Sequence, residues 1–257
     1  MRYLSILVFA FLGLVNNLAH AQSKTWDGFY LGLGYLKSSS NLLSKYSHQH
    51  SSGCTNLNFG SEWPGDNCEG NQDYAESIDS RSRSELPSIF VERLWVSDRL
   101  VYGLNLGIDK ASKHSVQASR VLSTTWGDTL DYKVNLKDAV RLSAILGQPV
   151  NEWLPYVGAG IVLQRASISI RQDQNGYNLP IEQINSRWFT GGELIIGVKR
   201  IISEEWVASA EFSRQKIDSI NGFTTASLKS GGLRYPDTQI SANADLKKFR
   251  IGLSRRF

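Results

Sequence analysis

The chain has 257 residues, of which 41% are hydrophobic and 20% are charged, and its formal net charge is +4. So small a positive excess favours neither a nucleic-acid partner nor a strongly acidic protein partner. Beyond residue 21 there is no run of 18 apolar residues, which excludes a transmembrane helix in that part of the sequence.

The first 21 residues have the pattern of a secretory signal peptide. Arg2 provides the positive charge, LSILVFAFLGLV the apolar stretch, and Ala19-His20-Ala21 an A-x-A cleavage site before Gln22. An uncleaved N-terminal membrane anchor is the alternative, but the apolar run is short for a membrane span. We therefore expect an exported protein in which residues 22–257 form a single domain.

The segment WDGFYLGLGYL, residues 26–36, alternates in an unusual way. From Phe29 to Tyr35 every second residue is large and apolar, whereas Gly28, Gly32 and Gly34 occupy intervening positions. A strand at the surface of a soluble protein alternates apolar with polar side chains. This pattern instead predicts a strand with one face in lipid and the other in a crowded interior.

Seven further segments show the same period of two and have the length of membrane-spanning strands. With the first segment, the predicted strands are 26–36, 88–96, 100–109, 132–147, 154–164, 187–200, 206–214 and 246–257. The connections between them alternate between short turns and long segments. The long ones are 37–87, 110–131, 165–186 and 215–245. This alternation predicts an eight-stranded antiparallel up-and-down transmembrane β-barrel with short periplasmic turns and four long extracellular loops.

Aromatic residues cluster at the predicted periplasmic ends of the strands. These residues are Trp26, Trp95, Trp153, Trp206 and the C-terminal Phe257. Indole rings favour the membrane–water interface, so this set predicts an aromatic girdle, although Trp also caps strands in soluble proteins.

Charged residues share the parity that faces away from lipid. An Arg on the lipid face near the bilayer midplane costs roughly 2–4 kcal/mol, so these side chains must point into the barrel. The predicted lumen network is Glu92, Arg141, Glu193, Lys199, Glu211 and Arg250, with the orientation of Glu92 relative to Arg93 left open. An eight-stranded barrel is just wide enough for side chains to fill. We therefore expect a structural salt-bridge core, with a narrow ion-conducting path as the alternative.

Three segments carry a resemblance to a known family. WDGFYLGLGYL, LPYVGAGIVL and the last strand FRIGLSRRF, which ends in Phe257, resemble the bacterial outer-membrane β-barrel domain. That family includes opacity-type surface proteins and the OmpA transmembrane domain. The terminal Phe is similar to the signal read by the barrel-assembly machinery, whereas Arg255 stands where an aromatic residue is usual. The resemblance implies location in the Gram-negative outer membrane.

The segment 37–87 contains the residues predicted to act at the cell surface. In an exported chain, Cys54 and Cys68 are expected to form a disulfide, since their spacing does not match a metal site. Phe59, Trp63 and Tyr74 are candidate surface-binding residues, because aromatic side chains are favoured as interface anchors. A hydrophilic shield without a specific ligand is the alternative for this segment.

The expected function is that of a surface protein with a structural and interaction role. It includes loop-mediated adhesion, contact with a host or the environment, and membrane integrity. The expected partners are outer-membrane lipid and lipopolysaccharide, the barrel-assembly machinery and a surface ligand, with no nucleic acid. The chain is expected to be monomeric and to need no metal or cofactor.

Two other functional classes remain open at this point. A lipid-modifying barrel enzyme needs a nucleophile, a base and an acid that meet in space. His48, His50 and His114 all fall in predicted loops, and adjacent His-Ser pairs do not provide that geometry. We therefore expect no catalytic residues. A soluble periplasmic barrel of the lipocalin kind is the other class.

Overall fold

The computed structural model describes residues 26–48, 74–110, 114–121, 129–174, 177–224 and 238–257. The expected signal segment 1–21 lies outside these ranges. Within them, no helix is long and apolar enough to cross a bilayer. The strands are β1 (Gly28–His48), β2 (Tyr74–Ser97), β3 (Leu100–Asp109), β4 (Ser115–Val121), β5 (Thr129–Gly147), β6 (Trp153–Gln174), β7 (Tyr177–Ile201), β8 (Trp206–Thr224) and β9 (Thr238–Arg256).

These strands form one closed antiparallel sheet. β1 pairs with both β2 and β9, and the order continues through β8, β7 and β6 to β5. β3 closes the circle by pairing with β2 on one side and with β5 on the other. β4 pairs with β5 beyond the end of β3, so β3 and β4 are two sections of one barrel strand. The predicted eight-stranded up-and-down barrel is confirmed.

The strands are much longer than the sequence analysis predicted. β1 has 21 residues, β2 has 24 and β7 has 25. Most of the length assigned to long loops is therefore strand. β1 and β2 stay paired as far as His48 and Tyr74, and β6 and β7 as far as Gln174 and Tyr177.

The error has a physical cause. The predicted strands ended where the outward apolar pattern ends, because about 9–11 residues are enough for a strand to span the hydrocarbon of a bilayer. Outside lipid, a barrel strand can continue with polar side chains on its outer face. In β2, Ser82 and Ser84 point inward between the exposed Arg81, Arg83 and Glu85, and the backbone ladder continues unbroken.

A band of exposed apolar side chains surrounds the half of the barrel nearest the short turns. Leu33 is 66% exposed and Leu194 is 68% exposed, values that a soluble core would not give. Along β1 the band runs from Phe29 to Tyr35 and stops at Lys37. Exposed hydrophobic area of this extent is typical of a surface that faces lipid or a partner.

Glycines on the inner face of β1 make room for neighbouring side chains. A Cβ at Gly32 would lie 2.2 Å from Cζ of Phe90, so the Phe90 ring occupies the space that a side chain would fill. A Cβ at Gly34 would lie 2.6 Å from Oγ of Ser88 and 3.1 Å from Cδ of Arg250. The free space predicted for long charged chains is thus shared with an aromatic ring.

Four of the five residues predicted for the aromatic girdle have exposed or half-buried rings, and the girdle itself stays a prediction. Trp153, Trp206 and Phe257 are 45%, 41% and 69% exposed, and the half-buried Trp95 stacks on Tyr102 with 5.6 Å between ring centroids. All four lie at the short-turn end of the barrel.

The prediction for Trp26 was wrong. Trp26 is fully buried and packs inside the barrel with Tyr30, whose hydroxyl donates to the Trp26 carbonyl at 2.9 Å. Its sequence position has the parity of the inward residues Gly28 and Tyr30, and this periodicity decides its side more strongly than the general preference of indole for interfaces.

The apolar band predicts a strong position dependence for an introduced charge. Replacing Leu104, which is 48% exposed in the band, by Arg should lower the free energy of unfolding by roughly 2–4 kcal/mol in lipid vesicles. Leu43→Arg is the matched control, because Leu43 lies beyond the band on β1 and should change it by less than about 0.5 kcal/mol. Denaturant titration of vesicle-inserted protein measures both. Equal effects at the two positions would contradict the assignment of the band to lipid.

Candidate functional site

The interior of the barrel half nearest the short turns holds the charged residues predicted from strand parity. Each of the six is at most 5% exposed, so the structure places all of them inside. They come from five strands, namely β2 (Glu92), β5 (Arg141), β7 (Glu193 and Lys199), β8 (Glu211) and β9 (Arg250). Arg93, whose orientation was left open, points outward and pairs with Asp27 at 2.9 Å.

Glu211 is the centre of this network. Its Oε1 accepts a hydrogen bond from Nη1 of Arg141 at 3.2 Å, and its Oε2 accepts one from Nη2 of Arg250 at 2.6 Å. The Tyr156 hydroxyl donates to the same Oε2 at 2.9 Å. One buried carboxylate therefore joins three strands besides its own.

A second carboxylate, Glu193, is held by neutral donors. Gln215 Nε2 donates to its Oε1 at 2.8 Å and the Ser143 hydroxyl to its Oε2 at 3.1 Å. Nη1 of Arg141 lies 4.0 Å from the same Oε2. Arg141 thus contacts both Glu193 and Glu211, and connects them electrostatically.

Glu92 and Lys199 form an ion pair closer to the short turns. Nζ of Lys199 lies 2.8 Å from Oε2 of Glu92, and Nδ2 of Asn105 donates to Oε1 at 3.4 Å. The same ammonium lies 5.1 Å from the Tyr156 ring centroid and 6.0 Å from that of Phe90. These distances allow cation–π attraction, which strengthens when water is excluded.

Two members of the network were missed by the sequence analysis. Asp109 and Lys248 are buried and form an ion pair of 2.7 Å, and Asp109 also lies 3.9 Å from Nε of Arg141. The signal was present in the sequence. Asp109 has the opposite parity to the exposed apolar residues of β3, and Lys248 shares the inward parity of Arg250. With them, the described part of the interior contains four buried carboxylates and four buried Lys or Arg side chains.

Apolar layers lie on both sides of the charged layer. Toward the short turns, Trp26, Tyr30, Leu94, Leu154 and Tyr156 belong to one buried cluster. Toward the far end, a second cluster contains Leu42, Val116, Val134, Ile168, Ile217 and Leu246. In the described part of the barrel, these clusters separate the charges from solvent at each end, which raises the strength of every ion pair between them.

His114 lies between the charged layer and the far apolar cluster. It is fully buried, and its Nε2 and Nδ1 each lie 2.7 Å from a serine hydroxyl, Ser38 on one side and Ser82 on the other. Burial, with the nearby Lys248 charge, lowers the pKa of His114 to about 4. The ring is therefore neutral at neutral pH. His114 directly precedes β4, so its two contacts link the start of β4 to β1 and β2.

The remaining predicted residues are only partly within the described ranges. Cys54, Cys68, Phe59 and Trp63 lie outside them, so the disulfide and these surface anchors stay predictions. Tyr74 is the first residue of β2, where it pairs with His48. The described residues contain no group of three His, Cys, Asp or Glu side chains arranged to hold a metal ion.

The chain is similar to known proteins in structure. No family model matches the chain, and no curated protein matches it. Among solved structures, it is similar to the outer membrane protein OprG from Pseudomonas aeruginosa, with 12% identity, a TM-score of 0.42 and coverage of 92% of this chain and 99% of that one.

Two further solved structures are similar at the same low level. Neisserial surface protein A has 13% identity and a TM-score of 0.33, over 87% of this chain and 97% of that one. The outer membrane protease OmpT from Escherichia coli has 6% identity and a TM-score of 0.44, over 92% of this chain and all of that one. At these identities the likeness concerns the fold alone. The narrower resemblance to opacity-type proteins and the OmpA transmembrane domain stays a prediction.

The central position of Glu211 predicts a large cost for removing its charge. Glu211→Gln keeps the shape of the side chain but leaves Arg141 and Arg250 without their shared carboxylate, so the free energy of unfolding should fall by about 3–5 kcal/mol. Glu205→Gln is the control, since it breaks an exposed pair with Arg255 and should cost less than about 1 kcal/mol. Both are measured by denaturant titration in vesicles. A similar small loss for the two variants would show that the buried network does not hold the barrel together.

Proposed function

We propose that this protein is a β-barrel of the bacterial outer membrane with a structural and interaction role at the cell surface. The observation that carries the proposal is the band of exposed apolar side chains around a barrel whose described interior is filled by buried side chains. In lipid, a closed barrel satisfies every backbone hydrogen bond, so such a band is stable there and unfavourable in water. The girdle of Trp95, Trp153, Trp206 and Phe257 supports the same location.

The packed interior supports a structural role for the membrane part. Long side chains from five strands fill the charged layer, and apolar clusters lie above and below it. An ion-conducting path needs a continuous row of water, and these layers oppose it. The narrow-pore alternative therefore has less support than a closed barrel.

The chemistry of His114 also favours a role without catalysis. A base in a lipid-modifying site must reach the substrate and be oriented by an acid. His114 is instead buried, and both of its ring nitrogens contact the hydroxyls of Ser38 and Ser82. The absence of enzymatic activity is part of this proposal.

The extended strands point to where an external partner would bind. Beyond the apolar band, β1 and β2 continue as a pair to His48 and Tyr74, so these strand ends lie away from the band. Segment 49–73 connects them in the sequence. This segment contains Phe59 and Trp63, the aromatic candidates for a surface contact. We assign adhesive contact with a host or environmental surface to this segment.

The experiment replaces residues 49–73 by Asn-Gly, a turn that suits two antiparallel strands whose paired ends are His48 and Tyr74. An epitope between Gly231 and Gly232 reports surface display in every variant. Intact expressing cells should stain with the antibody, and the replacement should abolish their added adhesion to cell monolayers and to glass. The control shortens the connection between β8 and β9 and should retain adhesion.

Two results would count against the proposal. Staining that requires a permeabilised outer membrane would place the segment on the wrong side or the protein in the periplasm. Normal display with unchanged adhesion after the 49–73 replacement would remove the interaction role from that segment.

A further inference from the structure

One wall of the barrel carries a concentration of positive charge just beyond the apolar band. It is formed by β8, β9, β1 and β2, and its last lipid-facing residues are Phe212, Phe249, Tyr35 and Pro87. The first and second outward positions beyond these hold five cations and two carboxylates. They are Arg214 and Lys216 on β8, Lys247 and Asp245 on β9, Lys37 on β1, and Glu85 and Arg83 on β2.

Both carboxylates of this basic wall are already engaged. Asp245 accepts hydrogen bonds from Nε of Arg214 at 3.0 Å and from its Nη2 at 2.5 Å, and these bonds lower the pKa of the Asp245 carboxyl. Glu85 pairs with Lys37 at 3.7 Å and accepts the Tyr35 hydroxyl. Lys216 also lies directly opposite Asp245 across the β8–β9 ladder, but that carboxylate is already bound by Arg214. Five cations against two carboxylates leave the wall with three positive charges in excess, and Arg83, Lys216 and Lys247 carry them.

The register places like charges side by side. Lys247 lies directly opposite Arg214 across the β8–β9 ladder. On its other side it faces Ser39, which in turn faces Arg83 across β1 and β2. Like charges directly opposite each other on a sheet are destabilising. In this arrangement an anion lying across the wall would relieve the repulsion.

The residues just below the wall are suited to hydrocarbon. Phe212 and Phe249 are each 46% exposed and Tyr35 is 52% exposed, all continuous with the apolar band. A ligand that fits the whole surface has a negative head beside the cations and an apolar tail beside the aromatic rings. A soluble anion would use only the upper half of it.

We propose that the basic wall binds the phosphate groups of a phosphorylated lipid in the leaflet that surrounds this end of the barrel. Arg214 and Lys37 stay paired with their carboxylates, while Arg83, Lys216 and Lys247 contact the phosphates. The inference rests on the proposed membrane location, and it adds a lipid class and a site to it. Such a site would fix a charged lipid at one side of the barrel.

The test variant combines Arg83→Gln, Lys216→Gln and Lys247→Gln, which leaves both existing ion pairs intact. The control combines Lys110→Gln, Lys133→Gln and Arg165→Gln, which removes the same number of charges from outside the wall, just after β3 and on β5 and β6. Detergent-solubilised protein is titrated with lipid A, and native mass spectrometry measures the bound fraction. Each basic residue near an anionic lipid surface contributes roughly fivefold in affinity, so the triple test variant should bind about 100-fold more weakly. The control variant should bind like the original chain.

Two companion measurements distinguish failure of the proposed lipid site from failure of the proposed membrane location. Protease protection after insertion into phosphatidylcholine vesicles tests the membrane location by itself, and the test variant should insert normally. Inositol hexakisphosphate, a soluble polyanion, is titrated in parallel and should bind the original chain much more weakly than lipid A does.

Each outcome bears on the proposal. Selective loss of lipid A binding in the test variant supports it. Equal loss in both variants, unchanged binding in the test variant, or equal affinity for the soluble polyanion would overturn it. Failure to insert would instead refute the proposed membrane location.

Discussion

The rest of the structure depends on how the barrel neutralises charges that it cannot expose. Glu211 is buried among the described residues, and there it accepts hydrogen bonds from Arg141, Arg250 and Tyr156. An unpaired charge there would be costly, so positions and sizes of neighbouring residues must suit the pairs. Gly107 illustrates this, because a Cβ at that position would lie 2.4 Å from Nε of Arg141. The inner faces of the strands therefore fit the charged network, while their outer faces carry the exposed apolar band.

The same constraint explains the layered interior. Apolar clusters at the two ends keep water from the ion pairs and so strengthen them. The charged side chains in turn fill the space that glycines on the inner faces of the strands leave open. His114 completes the upper boundary as a neutral ring between two serines. Beyond His114 the strands extend past the apolar band, and their inner faces still pack against a buried cluster that includes Leu42, Val134 and Ile168. This far apolar cluster accounts for the length of the strands beyond the apolar band.

The sequence predicts those features that depend on parity alone. Alternation along one strand is enough to place Arg250 inside and Ile251 outside. Eight such strands, joined by alternating short and long connections, are enough to predict the closed barrel. Alternation does not predict which charges pair, because Arg141 and Glu211 meet only once the register between strands is known. Strand length was underestimated because polar outer faces resemble loops. Trp26 shares the inward parity of Gly28 and Tyr30, so the local period indicates a buried ring. The prediction of an exposed girdle position is wrong because it rests on the general preference of indole for interfaces. Asp109 and Lys248 were likewise available from parity.

The claim that the network and its apolar layers close the barrel is tested most directly by conductance. Purified protein is inserted into planar lipid bilayers, with insertion verified by protease protection, and current is recorded at high salt. A closed interior predicts no steady conductance steps, because buried side chains of the charged layer and of both apolar clusters lie across the described part of the barrel. Reproducible ohmic steps that scale with inserted protein would contradict the account. They would mean that the interior opens to ions and that the buried charges line a pathway.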